Sequence, residues 1–120
     1  MIEFSISSEE NEEVSIISIT GEVDIFTSPR LKEEFIKLFK QDQFRIVVNM
    51  LETRYFDASG LGVLAGALKH CYKMGGSIAV VYAVPHIIRV FNITGMDKVF
   101  KIFETQKEAI SFLNNLDQSK

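Results

Sequence analysis

The chain has 120 residues, 47% of them hydrophobic and 24% charged, which suits one domain burying its own core, is too short for a two-domain enzyme and indicates neither disorder nor a fibrous repeat. Thirteen basic against sixteen acidic residues give a net charge of −3, and no Lys/Arg cluster stands ready to neutralise a row of phosphates, so direct nucleic-acid binding is not expected. Cys71 is the single cysteine, which excludes an internal disulfide and a cysteine-based zinc site. Met1 is followed by no basic-then-apolar segment, and no apolar run reaches the ~18 residues that crossing a bilayer needs. The expectation is a cytoplasmic protein with no membrane span.

Residues 2–8 (IEFSISS) and 14–20 (VSIISIT) are rich in β-branched residues and predict two strands paired antiparallel. The polar stretch Glu9, Glu10, Asn11, Glu12 and Glu13 predicts a solvated connection between them. Residues 27–40 predict the first helix, with Ser28 as cap, Pro29 at the first helical position, and Leu31, Phe35, Leu38 and Phe39 at helical spacing. Glu33 and Lys37 are set as an i,i+4 pair on its wet side. Residues 44–50 (FRIVVNM) form a continuous apolar run, as a strand covered on both faces requires. A second helix follows over 59–74, with Leu61, Leu64, Leu68 and Cys71 or Tyr72 on one stripe and the Gly75-Gly76 pair at its end. Residues 77–84 (SIAVVYAV) predict another buried strand. Pro85 opens a short third helix, its faces marked by Ile88, Phe91 and Asn92, before Gly95 interrupts. Residues 99–103 (VFKIF) return as a strand, and EAISFLNNL closes the chain as a helix. This order predicts an α/β fold: a mostly parallel mixed sheet with an N-terminal antiparallel hairpin, right-handed crossovers and about four helices.

The stretch YFDASGLGVLAGALKHC (55–71) invites four chemical readings. Gly60-Leu61-Gly62-Val63-Leu64-Ala65 formally matches the dinucleotide fingerprint G-x-G-x-x-A. That motif needs its glycines straight after a strand, whereas LETRYFDAS separates Met50 from Gly60, and the strand some 20 residues on offers no acid for a ribose. No Gly-Lys-Ser or Gly-Lys-Thr of a Walker loop occurs. A nucleophile elbow would put glycines where Asp57 and Leu61 flank Ser59. Of the two histidines, His70 lies roughly 16 Å along the helix that Ser59 begins, leaving only His86 as a base. Two scattered histidines and one cysteine show no metal-ligand spacing, so neither an enzyme nor a cofactor site is expected. The remaining reading is a helix N-terminus, whose unpaired N–H groups and partial positive charge favour a side-chain oxygen or an attached phosphate. Asp57 and Ser59 suit capping, and spacing alone leaves open whether they do anything more.

Three motifs in order give the chain a resemblance to the STAS domains of bacterial anti-sigma factor antagonists, over almost its whole length. Gly21-Glu22-Val23-Asp24 matches the family's G-E-[VIL]-D, Asp57-Ala58-Ser59-Gly60-Leu61-Gly62 matches D-S-[ST]-G-L-G, and Phe91-Asn92-Ile93-Thr94-Gly95 matches F-x-[IL]-[ST]-G. The resemblance implies a single STAS domain over residues 1–120, with a core from about 2 to 113 and a short polar C-terminal tail. It implies a partner switch: unmodified, the protein binds an anti-sigma factor serine/threonine kinase and frees a sigma factor, phosphorylation reverses this, and a PP2C-like phosphatase resets it. Asp24, Asp57, Ala58, Ser59, Gly60, Leu61 and Gly62 are the implied partner-binding residues.

One position departs from the pattern. The family's phosphoacceptor serine corresponds to Ala58, whose methyl group accepts no phosphate. Three accounts stand: a Ser→Ala variant held in the binding-competent state, a member that uses Ser59, or a member not regulated in this way. Ser59, the hydroxyl left in the motif, is the candidate acceptor. A phosphoserine there adds about −1.5 to −2 charge beside Asp57, with Asp24 expected near the same surface. STAS-like domains also serve in lipid-transport complexes and transporter tails, an alternative class of interaction module without phosphorylation.

Overall fold

The computed structural model describes residues 4–11 and 13–116; the expected strand start at residues 2 and 3, Glu12 and the end of the polar tail lie outside them. Five strands form one sheet in the order β1-β2-β3-β4-β5, namely β1 (Ser5–Asn11), β2 (Val14–Val23), β3 (Arg45–Phe56), β4 (Ser77–Val81) and β5 (Lys101–Phe103). The β1–β2 pair is antiparallel and every other pair is parallel, as the alternation of strands and helices requires. The helices are α1 (Ser28–Lys40), α2 (Ala58–Lys73), α3 (Pro85–Thr94) and α4 (Gln106–Asn114), with a 3-10 turn at Met96–Lys98. None of the described helices is long and apolar enough to cross a membrane.

The two faces of the sheet are covered unequally. Ile17, Ile19, Ile46, Val48, Met50, Ile78 and Val80 point to one side, where Leu31, Phe35 and Leu38 of α1, Leu61, Leu64, Leu68 and Cys71 of α2, and Ile87 and Phe91 of α3 close over them. Val14, Ile16, Val47, Ala79 and Val81 point to the other, where Ala109 and Leu113 of α4 pack, with half-buried Ile110 and Phe112 beside them. The expected α2 stripe is therefore the buried one, with Cys71 rather than the exposed Tyr72 as its last member. On α3 the buried pair is Ile87 and Phe91, while Ile88 and Asn92 lie outward.

Several local expectations are corrected. Glu9, Glu10 and Asn11 belong to β1, paired with Ile16, Ser15 and Val14, instead of forming a loop. Charged side chains on an edge strand stay in water while its backbone bonds to β2, and they discourage pairing with another chain. Thr27, not Ser28, is the N-cap residue of α1, and Ser28 is its buried first residue, with Pro29 second. Lys37 pairs with Glu34 at 3.1 Å rather than with Glu33. The strands predicted over 77–84 and 99–103 shorten to Ser77–Val81 and Lys101–Phe103.

The largest correction concerns β3, which runs on to Phe56 instead of ending near Met50. Only Arg45–Asn49 is flanked by β4, so beyond it the strand has β2 alone as neighbour and mixes buried with wet residues. Its apolar run stops where its second neighbour does. Buried Thr53 anchors the extension, its hydroxyl donating to the Ile19 carbonyl at 2.9 Å. Against β2 this stretch of β3 carries one extra residue twice, between the partners of Ser18 and Thr20 and between those of Gly21 and Glu22, and Gly21 on the facing strand takes φ 100, a left-handed conformation that glycine allows.

At the other end of the sheet, Gly76 joins α2 to β4 in a space closed by backbone. A Cβ on Gly76 would lie 1.9 Å from the Phe44 carbonyl oxygen, the same oxygen that accepts from Ser77 N–H at 3.0 Å. Gly76→Ala therefore has to push β3 and β4 apart where they first pair. It is expected to lower the unfolding free energy by about 3 kcal/mol, measured as a lower urea midpoint with an unchanged slope.

Candidate functional site

The site forms where β2 and β3 end side by side. The Asp57 N–H donates to the Val23 carbonyl at 3.3 Å, so the Asp24 and Asp57 ends of two separate motifs share one corner. Asp57 is the single residue between β3 and α2, extended at φ −120 and ψ −170, and serves as the helix N-cap. Its Oδ1 accepts from the Ser59 backbone N–H at 3.0 Å and also from the Ser59 hydroxyl. Its own carbonyl accepts the first helical bond, from Leu61 N–H at 3.1 Å.

The β3-to-α2 junction is thus a tight strand–turn–helix, so the spacing argument against a phosphate cradle does not survive. A different feature fills the corner: the Asp57 carboxylate already sits on the helix N-terminus that a phosphate would need. Gly60 does not face an opening either. A Cβ there would lie 2.7 Å from the Phe56 ring and 2.8 Å from Val23, so glycine lets the first turn of α2 rest directly on the ends of β2 and β3. Gly60 and Leu61, expected among the partner-binding residues, are buried and hold this turn in place. Ala58 and Gly62 are exposed, while Asp57 and Ser59 are half-buried.

Asp24 organises the neighbouring loop. Its Oδ1 accepts from Phe26 N–H at 2.9 Å and Thr27 N–H at 3.1 Å, and its carbonyl accepts from Ser28 N–H at 2.8 Å. Thr27 Oγ1 donates to the Glu22 carbonyl and accepts from Asp24 N–H, both at 2.9 Å, which closes the turn into α1. This knot lifts Ile25 and Phe26 into solvent, 67% and 82% exposed, beside the Asp57 corner. Both were missed by periodicity, because neither belongs to a strand face or a helix stripe. Two apolar residues between an Asx turn and a helix start were the available signal.

The third motif acts from underneath. Phe91 stacks on Phe56 at 6.1 Å and packs against Tyr82 at 4.9 Å and Phe100 at 6.2 Å, so the ring beneath Gly60 is backed by α3. Burial, and after it the Asp97 carboxylate, push the Tyr82 hydroxyl above its usual pKa. Thr94 bonds back to the Val90 carbonyl at 2.7 Å, and Gly95 ends the helix at φ 76.

The two histidines are separate from the corner's hydrogen bonds. His70 lies against Phe39 and Phe44, with centroids 4.5 and 5.7 Å away, and His86 stacks on Tyr55 at 5.4 Å. The Ser59 hydroxyl donates to Asp57, a carboxylate that also caps the helix, and not to an imidazole. Among the described residues, no group of three or more His, Cys, Asp or Glu is placed to hold a metal ion.

A family model described as STAS domain matches residues 5–109 of the chain. The chain is similar to an anti-sigma-B factor antagonist of Bacillus subtilis, 34% identical over 94 residues that cover 78% of this chain and 84% of that one. Its fold resembles that of an anti-sigma factor antagonist from Mycobacterium paratuberculosis, with a TM-score of 0.86, 24% identity, and coverage of 93% of this chain and 95% of the other. It also resembles the Bacillus cell fate determinant SpoIIAA in the phosphorylated form, with a TM-score of 0.70, 21% identity, and coverage of 89% and 97%.

The capping geometry has a measurable consequence. Asp57→Ala removes the acceptor for Ser59 N–H and is expected to cost about 1 kcal/mol in urea unfolding, whereas Asp57→Asn keeps a capping oxygen and most of the stability. Cys71 provides an internal control. Burial pushes its thiol up to about 12, so at pH 8 it is expected to resist thiol reagents until the protein unfolds.

Proposed function

Because the chain belongs to the STAS domain family, we propose that it is an anti-sigma factor antagonist, a binding protein of the bacterial cytoplasm that occupies an anti-sigma factor and so frees a sigma factor for transcription. The likeness to the Bacillus subtilis relative over most of both chains carries the class of this reading. One geometric observation supports the location of the docking face: the exposed apolar tip Ile25-Phe26 stands beside the half-buried Asp57–Ser59 turn and the exposed Ala58 and Gly62. An apolar anchor next to a short polar cluster is the usual composition of a site where a few residues dominate affinity. Asp24 and Asp57 form its acidic edge, and Gly60 and Leu61 support it from below.

The partner is an anti-sigma factor serine/threonine kinase, and Ser59 is the acceptor of its phosphoryl group. Transfer moves the γ-phosphoryl of ATP to Ser59 Oγ, releasing ADP and the hydroxyl proton that now bonds to Asp57. The product puts about −1.5 to −2 charge against a carboxylate that already holds the helix N-terminus. A docked partner would have to desolvate both anions, at a cost of several kcal/mol per buried ion. That is comparable with the ~8 kcal/mol of a whole micromolar complex, so the modified protein is released. A PP2C-like phosphatase then restores the free hydroxyl. In this reading Ala58 occupies the exposed acceptor position of related motifs, and the function passes to the next residue of the same turn.

Incubation with the kinase and ATP, followed by peptide mass spectrometry, is expected to find phosphate on Ser59 and none on a Ser59→Ala variant; phosphate elsewhere, or nowhere, removes the switch. Calorimetry with the unphosphorylated protein separates contact from capping. Asp57→Lys is expected to weaken the complex at least tenfold, and Asp57→Asn, which retains the cap, isolates the contribution of charge. An unmodified protein that binds no anti-sigma factor at micromolar concentration contradicts the reading as a whole.

A further inference from the structure

Ser59 also stands at the mouth of a groove between α1 and α2, about 510 Å³ in volume, lined among others by Lys32, Phe35, Ile36, Gly62 and Gly66. Two features of this groove have no explanation in the fold. Gly62 and Gly66 lie one helical turn apart in the interior of α2, where glycine is less stabilising than alanine, yet a Cβ at either would meet nothing within 4 Å. Neither has a positive φ, so backbone conformation does not demand them either. Charge is also segregated. Within a chain of net charge −3, α1 and α2 together carry six lysines and arginines against two glutamates, and α2 carries no acid at all. Lys69 and Lys73 continue the Gly62–Gly66 stripe along α2, while Lys32 and Lys40 flank Ile36 on α1. All four lysines are exposed and none forms an ion pair among the described residues, where Lys37 alone is held, by Glu34.

We propose that this groove receives an acidic amphipathic helix of the anti-sigma factor that engages the Asp57–Ser59 corner. The inference rests on the function proposed above. A bare glycine stripe lets a partner's backbone approach α2 closely, the floor of Phe35, Ala67 and half-buried Val63 takes its apolar face, and Lys32 in the lining, with Lys69 and Lys73 further along α2, meets its acids. Charge complementarity selects the occupant: the two helices that flank the groove are basic, whereas the corner at its mouth is acidic, so the partner carries opposite charges at its two ends of contact. A concave apolar floor fits a helix better than a flat bilayer, and four spaced lysines do not form the phosphate track of a nucleic-acid site.

The test titrates purified anti-sigma factor kinases encoded in the same genome against wild type and two groove variants. Gly62→Leu/Gly66→Leu fills the groove and is expected to weaken binding at least tenfold, with a melting temperature equal to or above that of wild type. Lys32→Glu/Lys69→Glu changes only surface charge, serves if the filled variant is unstable, and is expected to weaken binding at least fivefold and flatten its salt dependence. If both variants bind within twofold of wild type while Asp57→Lys does not bind, the groove is not the docking site and the proposed function stands. If wild type binds none of the kinases, both fall. If phosphatidylglycerol vesicles or a DNA duplex retain wild type but not the lysine variant, while kinase binding is unchanged, the basic rim belongs to lipid or nucleic acid and the helix-docking inference is overturned.

Discussion

The corner where β2, β3 and α2 meet depends on one close approach, that of Gly60 to Phe56 and Val23. Any side chain at Gly60 would lift the first turn of α2 off the ends of β2 and β3. With the turn seated, the Asp57 N–H reaches the Val23 carbonyl, and two loops distant in sequence become one surface. The extra residues and the length of β3 serve the same end, because β2 and β3 must both reach this level before α2 can cap them. Phe91 then backs Phe56 from α3, so three motifs that look independent in sequence hold a single turn.

The polar groups of that corner are nearly all committed to one another. Asp57 satisfies the start of α2, and Asp24 satisfies the start of α1, each with a carboxylate close to unpaired N–H groups. The Ser59 hydroxyl of this corner is held by the Asp57 carboxylate. The corner is also sensitive to added charge, since the space near the helix terminus is already taken by one anion. The Asp57 carboxylate occupies the place at the helix terminus that a phosphate would need.

The unequal covering of the sheet complements this arrangement. Three helices cover one face and α4 alone the other, and α1 and α2 leave a groove between them. The basic layer of α1 and α2 lies next to the acidic corner, so charge of opposite sign is set side by side on this surface. The exposed tip of Ile25 and Phe26 adds apolar area at the boundary between the two.

Much of this was legible in the chain itself. Strand and helix order, the parallel sheet with its antiparallel hairpin, the α2 stripe and the cap at Asp57 all follow from local periodicity and from side chains that act on their own backbone. The motifs identified a family because they recur in order. What local pattern did not contain was anything that depends on neighbours. The extension of β3 to Phe56 carries mixed residues because its flank beyond Asn49 is open, and Glu9 to Asn11 read as a loop because an edge strand tolerates charge. The exposure of Phe26, the burial of Gly60 and Leu61, and the emptiness around Gly62 and Gly66 are properties of packing, not of residue type. Sequence alone determined which segments form and which side chains cap them, since those are set within a few residues; tertiary structure decided which of them are buried and which lie open to solvent, since burial is settled by elements far apart in the chain.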